Sequence, residues 1–329
     1  MTPEVSILIP IYNVEKYISQ CLNSLITDPM INKCEIIICN DCTPDNSMQI
    51  IKEIVEANPT LTFKILEHKE NKRIAITRQN LLNAATGKYI IFVDSDDWVE
   101  PEYITTLYNA AENNNADITT CNLIKNYSNT KIIKQHNLDS DTDKNIRNLI
   151  TTKLPGYLHC KLLKRSVIAE NNITFDNELI ISEDMLFTLK LMFFTNNYHN
   201  TNKALYNYRI ISDHSDFSEA NAVERIKCNQ KIEEVLIKNN NFDLYKRELA
   251  LRKIFTLIKA FSNAPYKICH NYYQYFLKQS KLIKITSLKT FVYKLLAFSL
   301  DTKQIWLTDF LLSFFKMKES INNKKLKKI

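Results

Sequence analysis

Within the first 125 residues, five short apolar runs alternate with segments of helical periodicity. No other feature of the chain restricts its fold as much. The runs are 5–9, 35–39, 62–66, 89–93 and 117–123, with helices predicted over 15–26, 47–57, 74–85 and 101–113. Pro101 suits a first-turn position, and Gly87 is placed to end the third helix in the left-handed conformation. Strand–helix alternation predicts an α/β domain with a mostly parallel sheet, in which ligands bind beyond the carboxyl ends of the strands. Three polar groups fall at those ends: Tyr12-Asn13 after Pro10, Asn40-Asp41, and Asp94-Ser95-Asp96-Asp97.

Beyond residue 125 the pattern weakens. Residues 125–150 are polar and Asn/Asp-rich and read as an irregular excursion, 156–168 and 182–194 read as helices, and 204–208 as a short strand. From 218 onward the periodicity is helical and rich in Phe, Tyr, Leu and Lys. The division this implies is 1–215 as the α/β domain and 216–329 as a helical region.

The Asp94-Ser95-Asp96-Asp97 sequence carries the clearest chemistry. Carboxylates are hard oxygen ligands suited to Mg²⁺ or Mn²⁺, which favour one or two carboxylates completed by substrate phosphates. A helix cap before Pro101 would account for one acid, not three. Without a cation, acids this close repel one another and their pKa values rise. Asp41, two residues past a buried run, is placed to accept a hydrogen bond from a ring N–H such as N3–H of uracil, a donor that cytosine lacks. Asp45 and Ser47 read as turn and N-cap residues. Arg78 alone reads as a helix-surface arginine. Glu183-Asp184 follows Ser182, a candidate N-cap. Acids in a first turn suit the helix dipole, and one of these could equally serve as a general base. Cys39 and Cys42 span the Asp41 turn, but the eight cysteines form no metal or disulfide framework.

Taken together, these segments resemble the family 2 glycosyltransferases with the GT-A fold. The Val5-Ser-Ile-Leu-Ile-Pro-Ile-Tyr-Asn13 segment is similar to the family's opening strand, and residues 35–47 to its uridine-binding turn. Arg78 with Asn80 is similar to its Ala-Arg-Asn element. Phe92-Val-Asp-Ser-Asp-Asp97 matches its metal motif and Ser182-Glu-Asp-Met-Leu-Phe187 its Glu-Asp helix. Lys161-Leu-Leu-Lys-Arg165 and Tyr206-Asn-Tyr-Arg209 are similar to weaker landmarks. The resemblance covers about residues 3–215 and implies inverting transfer from a nucleotide sugar, usually UDP-linked, with Mn²⁺ or Mg²⁺. It implies a nucleotide-sugar site of Pro10, Tyr12, Asn13, Asp41, Arg78, Asp94 and Ser95. Asp41 would contact uracil, Asp94 the ribose, and Asp96 the cation. Asp184, or Glu183 beside it, would be the base, Asp97 would lie near the acceptor, and His214 could approach the diphosphate. Two departures stand out in a chain with only two glycines: Cys42 and Lys72-Arg73-Ile74 occupy positions where the family often has glycine.

Net charge is informative only when split. Residues 280–329 hold 11 Lys and 3 acids, a balance of +8, while the remaining residues hold 32 basic and 33 acidic residues, a balance of −1. A nucleic-acid protein spreads basic charge over its binding face, so nucleic acid is not an expected partner. Lys interleaved with Trp306, Phe310, Phe314 and Phe315 is the pattern of an interfacial helix on an anionic membrane, although an apolar stripe packed on the body would look the same. There is no apolar run of 18 residues and no basic-then-apolar opening, so neither a spanning helix nor a signal peptide is expected. The expectation is a cytoplasmic enzyme, peripheral at the inner membrane face, with a saccharide or lipid-linked saccharide acceptor. The alternative is a catalytically inactive nucleotide-sugar binder acting as a membrane scaffold. A sugar-1-phosphate nucleotidyltransferase also uses paired Asp residues, but needs a Gly-rich phosphate loop that this chain lacks.

Overall fold

The computed structural model describes residues 2–210 and 219–263. They form two compact units, residues 2–149 with 153–210, and residues 150–152 with 219–263.

The first unit begins as the alternation predicts. Strands β1 (Val5–Ile11), β2 (Cys34–Asn40), β3 (Thr62–Glu67) and β4 (Tyr89–Phe92) are parallel, in the order β3-β2-β1-β4. Helices α1 (Ile18–Ile26), α2 (Ser47–Ala57) and α3 (Arg73–Ala84) connect them. All seven residues of β1 are buried, as a near-continuous apolar run in a central parallel strand should be. Pro10 is tolerated there for a local reason. Leu8 accepts the Val93 N–H and Ile11 accepts the Asp41 N–H, so Pro10 faces the β4 side just beyond the last β1–β4 pair. The ladder has no use for the donor that proline lacks.

The sheet continues from β4 through β8 (Lys161–Lys164), β6 (Ile118–Asn126) and β9 (Tyr198–Arg209) to β5 (Trp98–Val99), with β7 (Lys131–Lys134) beside β6. In this half only β6 and β9 run parallel. Helices α4 (Tyr103–Asn114), α5 (Thr142–Ile150), α6 (Arg165–Glu170) and α7 (Glu183–Met192) complete the unit.

Three local expectations are corrected. The 125–150 stretch contains β7 and α5. Ile146, Leu149 and Ile150 are buried at helical spacing, a stripe hidden in sequence by surrounding Asn and Asp. The 156–168 stretch is a strand followed by a helix, because Leu162 and Leu163 are drawn between β4 and β6. An apolar run this short carries no decisive period. Gly87 is not a left-handed cap. Neither glycine has a positive φ; at Gly87 a Cβ would sit 2.7 Å from the Ser6 nitrogen, so close approach of chain segments is what requires it. Positive φ falls instead on eleven non-glycine residues among those described, including Asn13, Cys42 and Arg73.

The second unit pairs α8 (Glu219–Lys238) with α9 (Phe242–Asn263). Ile226, Ile232 and Leu236 are buried, as are Leu249 and Ile254, and the buried Lys253 ammonium meets Glu233 at 2.6 Å. No helix among the described residues is long and apolar enough to cross a membrane. His214 and the basic segment 280–329 lie outside the described residues.

Candidate functional site

A cavity of about 480 Å³ opens beyond the carboxyl ends of β1, β2 and β4, between the loops that follow them and the start of α3. Pro10, Tyr12, Asp41, Arg78, Asp94, Ser95 and Asp96 all line it, together with Asn71, Arg73 and Thr77. Residues up to 86 positions apart in sequence thus share one wall, as the strand-end rule requires. Tyr12 is half exposed on its rim. Asn13 is outside the lining, in the left-handed conformation, with its N–H donated to Thr43 Oγ1 at 2.8 Å. Cys42 (φ 57°) and Arg73 (φ 68°) keep the backbone turn that a glycine would take, at a cost of roughly 1–2 kcal/mol each. The missing glycines do not remove the loops.

Asp41 is buried and its carboxylate is met by N–H donors. His68 Nδ1 and the Lys72 N–H reach Oδ1, both at 2.7 Å, and the Arg73 N–H reaches Oδ2 at 2.9 Å. Asp45 lies further along the same turn and is only partly buried. It accepts from Thr43 Oγ1, from the Ser47 N–H and Oγ, and from the Glu15 N–H. Against the upward push of burial, these bonds hold it down at about 2. Asp45 is therefore the knot of the turn, and Ser47 opens α2 without a side-chain cap of its own.

Beyond β4 the arrangement is opposite in character. Asp94 is gripped by Arg78 Nη2 at 2.7 Å and by His159 Nδ1 at 3.1 Å. Burial pushes its carboxyl up, but the Arg78 guanidinium and the His159 hydrogen bond hold it well below the usual range. Asp96 is raised by burial and by the charge of Asp94. Asp97 is pushed up to about 9 by burial, with Asp94 and Asp96 behind it.

Asp97 also corrects an expectation. It is 0 % exposed, outside the cavity lining, and held by the Tyr206 hydroxyl at 2.9 Å and the Arg209 N–H at 2.7 Å. With no exposed surface, its carboxyl is not presented to an acceptor in this conformation.

Arg78 is not a surface residue either. It is buried, and its second guanidinium nitrogen bonds Glu183 at the start of α7. One cation thus faces two carboxylates, Glu183 buried and Asp94 partly exposed. Asp94 keeps its charge, while burial raises Glu183 to about 7 despite Arg78. Asp184, half-buried beside it, has one oxygen on the Met185 N–H at 2.6 Å and lies outside the cavity lining. Ser182 holds the N-cap position in the left-handed conformation and forms no side-chain cap bond.

Three residues that support the acids carried no role in the sequence. His159 is sandwiched between Tyr157 and Tyr206, each ring 4.7 Å away, with Nε2 buried and unpartnered. Tyr206 accepts the Asp94 N–H and donates to Asp97. Arg209 lies over Tyr17 and Trp98 and donates to the Asp96 carbonyl. Tyr206 and Arg209 sit in a segment noted as a landmark, whereas His159, two residues before another, left no signal.

The donor set suits a divalent cation. Asp94 and Asp96 stand on the cavity wall as hard oxygen ligands. Among the described residues, Asp94, Asp97 and His159 bring ligand atoms within 4.8 Å of one another, in a group that does not include Asp96. The orphaned His159 nitrogen and the raised carboxyls of Asp96 and Asp97 are what a site built to take positive charge would show.

Comparison with known proteins agrees with this arrangement. The model for glycosyl transferase family 2 matches residues 6–171. EpsH of Bacillus subtilis is 35% identical over 216 residues, which are 64% of this chain and 61% of that protein. The chain thus spans about three fifths of the length of this curated relative. The structure of Staphylococcus aureus TarS 1–349 in complex with UDP-GlcNAc superposes with a TM-score of 0.63 at 19% identity, covering 96% of this chain and 92% of that one. TarS is named a poly(ribitol-phosphate) β-N-acetylglucosaminyltransferase. A mannosyltransferase of Pyrobaculum calidifontis, in complex with GDP-Man and Mn²⁺, gives 0.52 at 16% identity, covering 95% and 85%. At these identities the structural likeness shows a shared GT-A-type α/β fold.

Proposed function

Because this chain belongs to glycosyl transferase family 2, we propose that it transfers a sugar, with inversion, from a UDP-sugar to a saccharide or lipid-linked saccharide during bacterial surface polysaccharide assembly. The observation that carries this reading is the convergence of Asp41, Arg78, Asp94, Ser95 and Asp96 on one cavity at the strand ends. Asp41 offers an acceptor to the uracil N3–H, Asp94 one to the ribose, and Tyr12 stands at the rim. A Mn²⁺ or Mg²⁺ ion held by Asp96 with Asp94 would neutralise the diphosphate as it leaves. Arg78 orients Asp94 and Glu183 instead of pairing with phosphate.

The acceptor hydroxyl loses its proton to a carboxylate as its oxygen bonds to the anomeric carbon, and the bond from that carbon to the diphosphate oxygen breaks. Asp184 suits the role better than Glu183, whose carboxylate is buried against Arg78. Asp184→Asn should lower kcat by roughly 100-fold or more with donor affinity near wild type. Glu183→Gln should act mainly on donor KM, by loosening Arg78. A larger kcat loss for Glu183→Gln at equal donor affinity would make Glu183 the base, and no loss in either variant would remove α7 from the chemistry.

The basic segment supports a place at the cytoplasmic face of an anionic membrane, where lipid-linked acceptors reside. Deleting 318–329 removes five Lys and one Glu, a net loss of four positive charges. Binding to anionic vesicles should weaken and become less salt-sensitive, while turnover of a soluble acceptor analogue stays constant. Unchanged vesicle binding would exclude this surface role.

A further inference from the structure

We infer that His68 is a positioning residue that sets base specificity, by occupying an acceptor position of the Asp41 carboxylate so that a single acceptor site is left for a nucleobase. The inference rests on the proposed uridine-nucleotide donor and asks what makes Asp41 selective.

The argument starts from the sheet edge. β3 pairs with β2 up to Glu67 opposite Asn40, and the ladder runs one rung further, with the His68 N–H donated to the Asn40 carbonyl at 2.9 Å. That extra rung sets the imidazole beside Asp41, and the two side chains are each only 6% exposed. An ionised carboxylate only accepts, so Nδ1 must carry the proton in the 2.7 Å bond to Oδ1. Nε2 is then a lone pair. It accepts from Asn80 Nδ2 at 2.7 Å, with Cys39 Sγ at 3.6 Å. The ring is thereby fixed in one tautomer from both sides. The burial-raised thiol of Cys39, at about 12, stays a neutral neighbour.

The consequence is found by counting acceptor sites. A carboxylate has about four in-plane positions. His68 and Lys72 fill both on Oδ1 and Arg73 fills one on Oδ2. One remains, on Oδ2, and Asp41 is part of the cavity wall. Such a site accepts an N–H, as uracil N3 presents, and repels the lone pair at cytosine N3. Cytosine offers no N–H at that position for the remaining Oδ2 site to accept. Lys72 and Arg73 act through backbone N–H groups, which side-chain substitution leaves in place. His68 is the donor that mutation can remove.

The test is calorimetry of UDP and CDP binding in the presence of Mn²⁺, on wild type, His68→Ala, His68→Asn and His68→Gln. Asparagine can return an N–H near the Nδ1 position, whereas glutamine reaches toward that of Nε2. His68→Ala should weaken UDP binding roughly tenfold, the scale of one hydrogen bond to a charged group, and should narrow the UDP/CDP ratio. His68→Asn should restore the ratio and His68→Gln should not. With UDP-sugar as donor, KM should rise with kcat nearly constant. Equal loss for UDP and CDP, or equal ratios in the Asn and Gln variants, would overturn the inference, and that second comparison decides it even if the alanine variant fails to fold. A wild type indifferent to the base would instead overturn the reading of Asp41 as the uracil contact, and this inference with it.

Discussion

The turns after β2 and β4 occupy equivalent places, each at the carboxyl end of a parallel strand and each rich in Asp, yet the protein treats their charges in opposite ways. Asp41 and Asp45 are surrounded by hydrogen-bond donors, and Asp45 is held at about 2. Asp94 divides the Arg78 guanidinium with Glu183, Asp96 is raised by burial and by Asp94, and Asp97 is driven to about 9. The first turn is electrostatically finished within the protein and can only read a ligand's donors. The second holds excess negative charge that a cation would relieve. Recognition and charge neutralisation are thus separated onto two strand ends by their partners, not by their acids.

The largest effect should come from emptying the unfinished turn. Asp96→Ala should reduce Mn²⁺-dependent UDP binding by roughly 100-fold or more while leaving the fold intact, since a strand-end carboxylate adds little to the core. Calorimetry showing unchanged metal dependence would break the contrast between the turns.

Next in size is the loss of the knot in the finished turn. Asp45→Ala should cost about 2 kcal/mol of stability at neutral pH, in line with hydrogen bonds to a charged group. The sign follows from a folded pKa below the unfolded value. The contribution is fully present above about 3.8 and fades as pH falls toward about 2. Chemical denaturation of wild type and variant should converge in acid, and a difference that persists at pH 2 would contradict this account.

The smallest change is expected at Asp97 at about pH 3.5, where the side chain is largely neutral in both folded and unfolded chains, so that Asp97→Asn exchanges one neutral buried group for another and should shift stability by less than about 1 kcal/mol. Here the folded pKa lies above the unfolded one, so the stabilising contribution is complete below about 3.8 and is lost as pH rises to about 9. In chelating buffer the wild type should lose stability over that window relative to Asp97→Asn. Parallel pH profiles would show that the cluster is not electrostatically strained.

Legibility in the sequence followed the range of the forces involved. Strands β1 to β4 and helices α1 to α3 were readable because apolar period and strand-end polarity are carried by neighbouring residues. α2 begins and ends at the predicted residues. β8 was misread because its pairing with β4 and β6 comes from elsewhere in the chain, and α5 because Asn and Asp mask its stripe. Among site residues, the cavity unites seven of those expected in it. His68, His159 and Arg209 went unassigned, because a lone His or Arg has no local signature.

The sequence by itself determined the strand–helix order and the strand ends where acids would gather, since both depend on residues a few positions apart. It could not rank those acids. Asp94, Asp96 and Asp97 are near-equals along the chain, and only the tertiary structure separates them, through Arg78 from α3, His159 from the segment before β8, and Tyr206 and Arg209 from β9. A carboxylate's charge and exposure depend on burial and on groups within a few ångströms, and here those groups come from as far as 113 residues away.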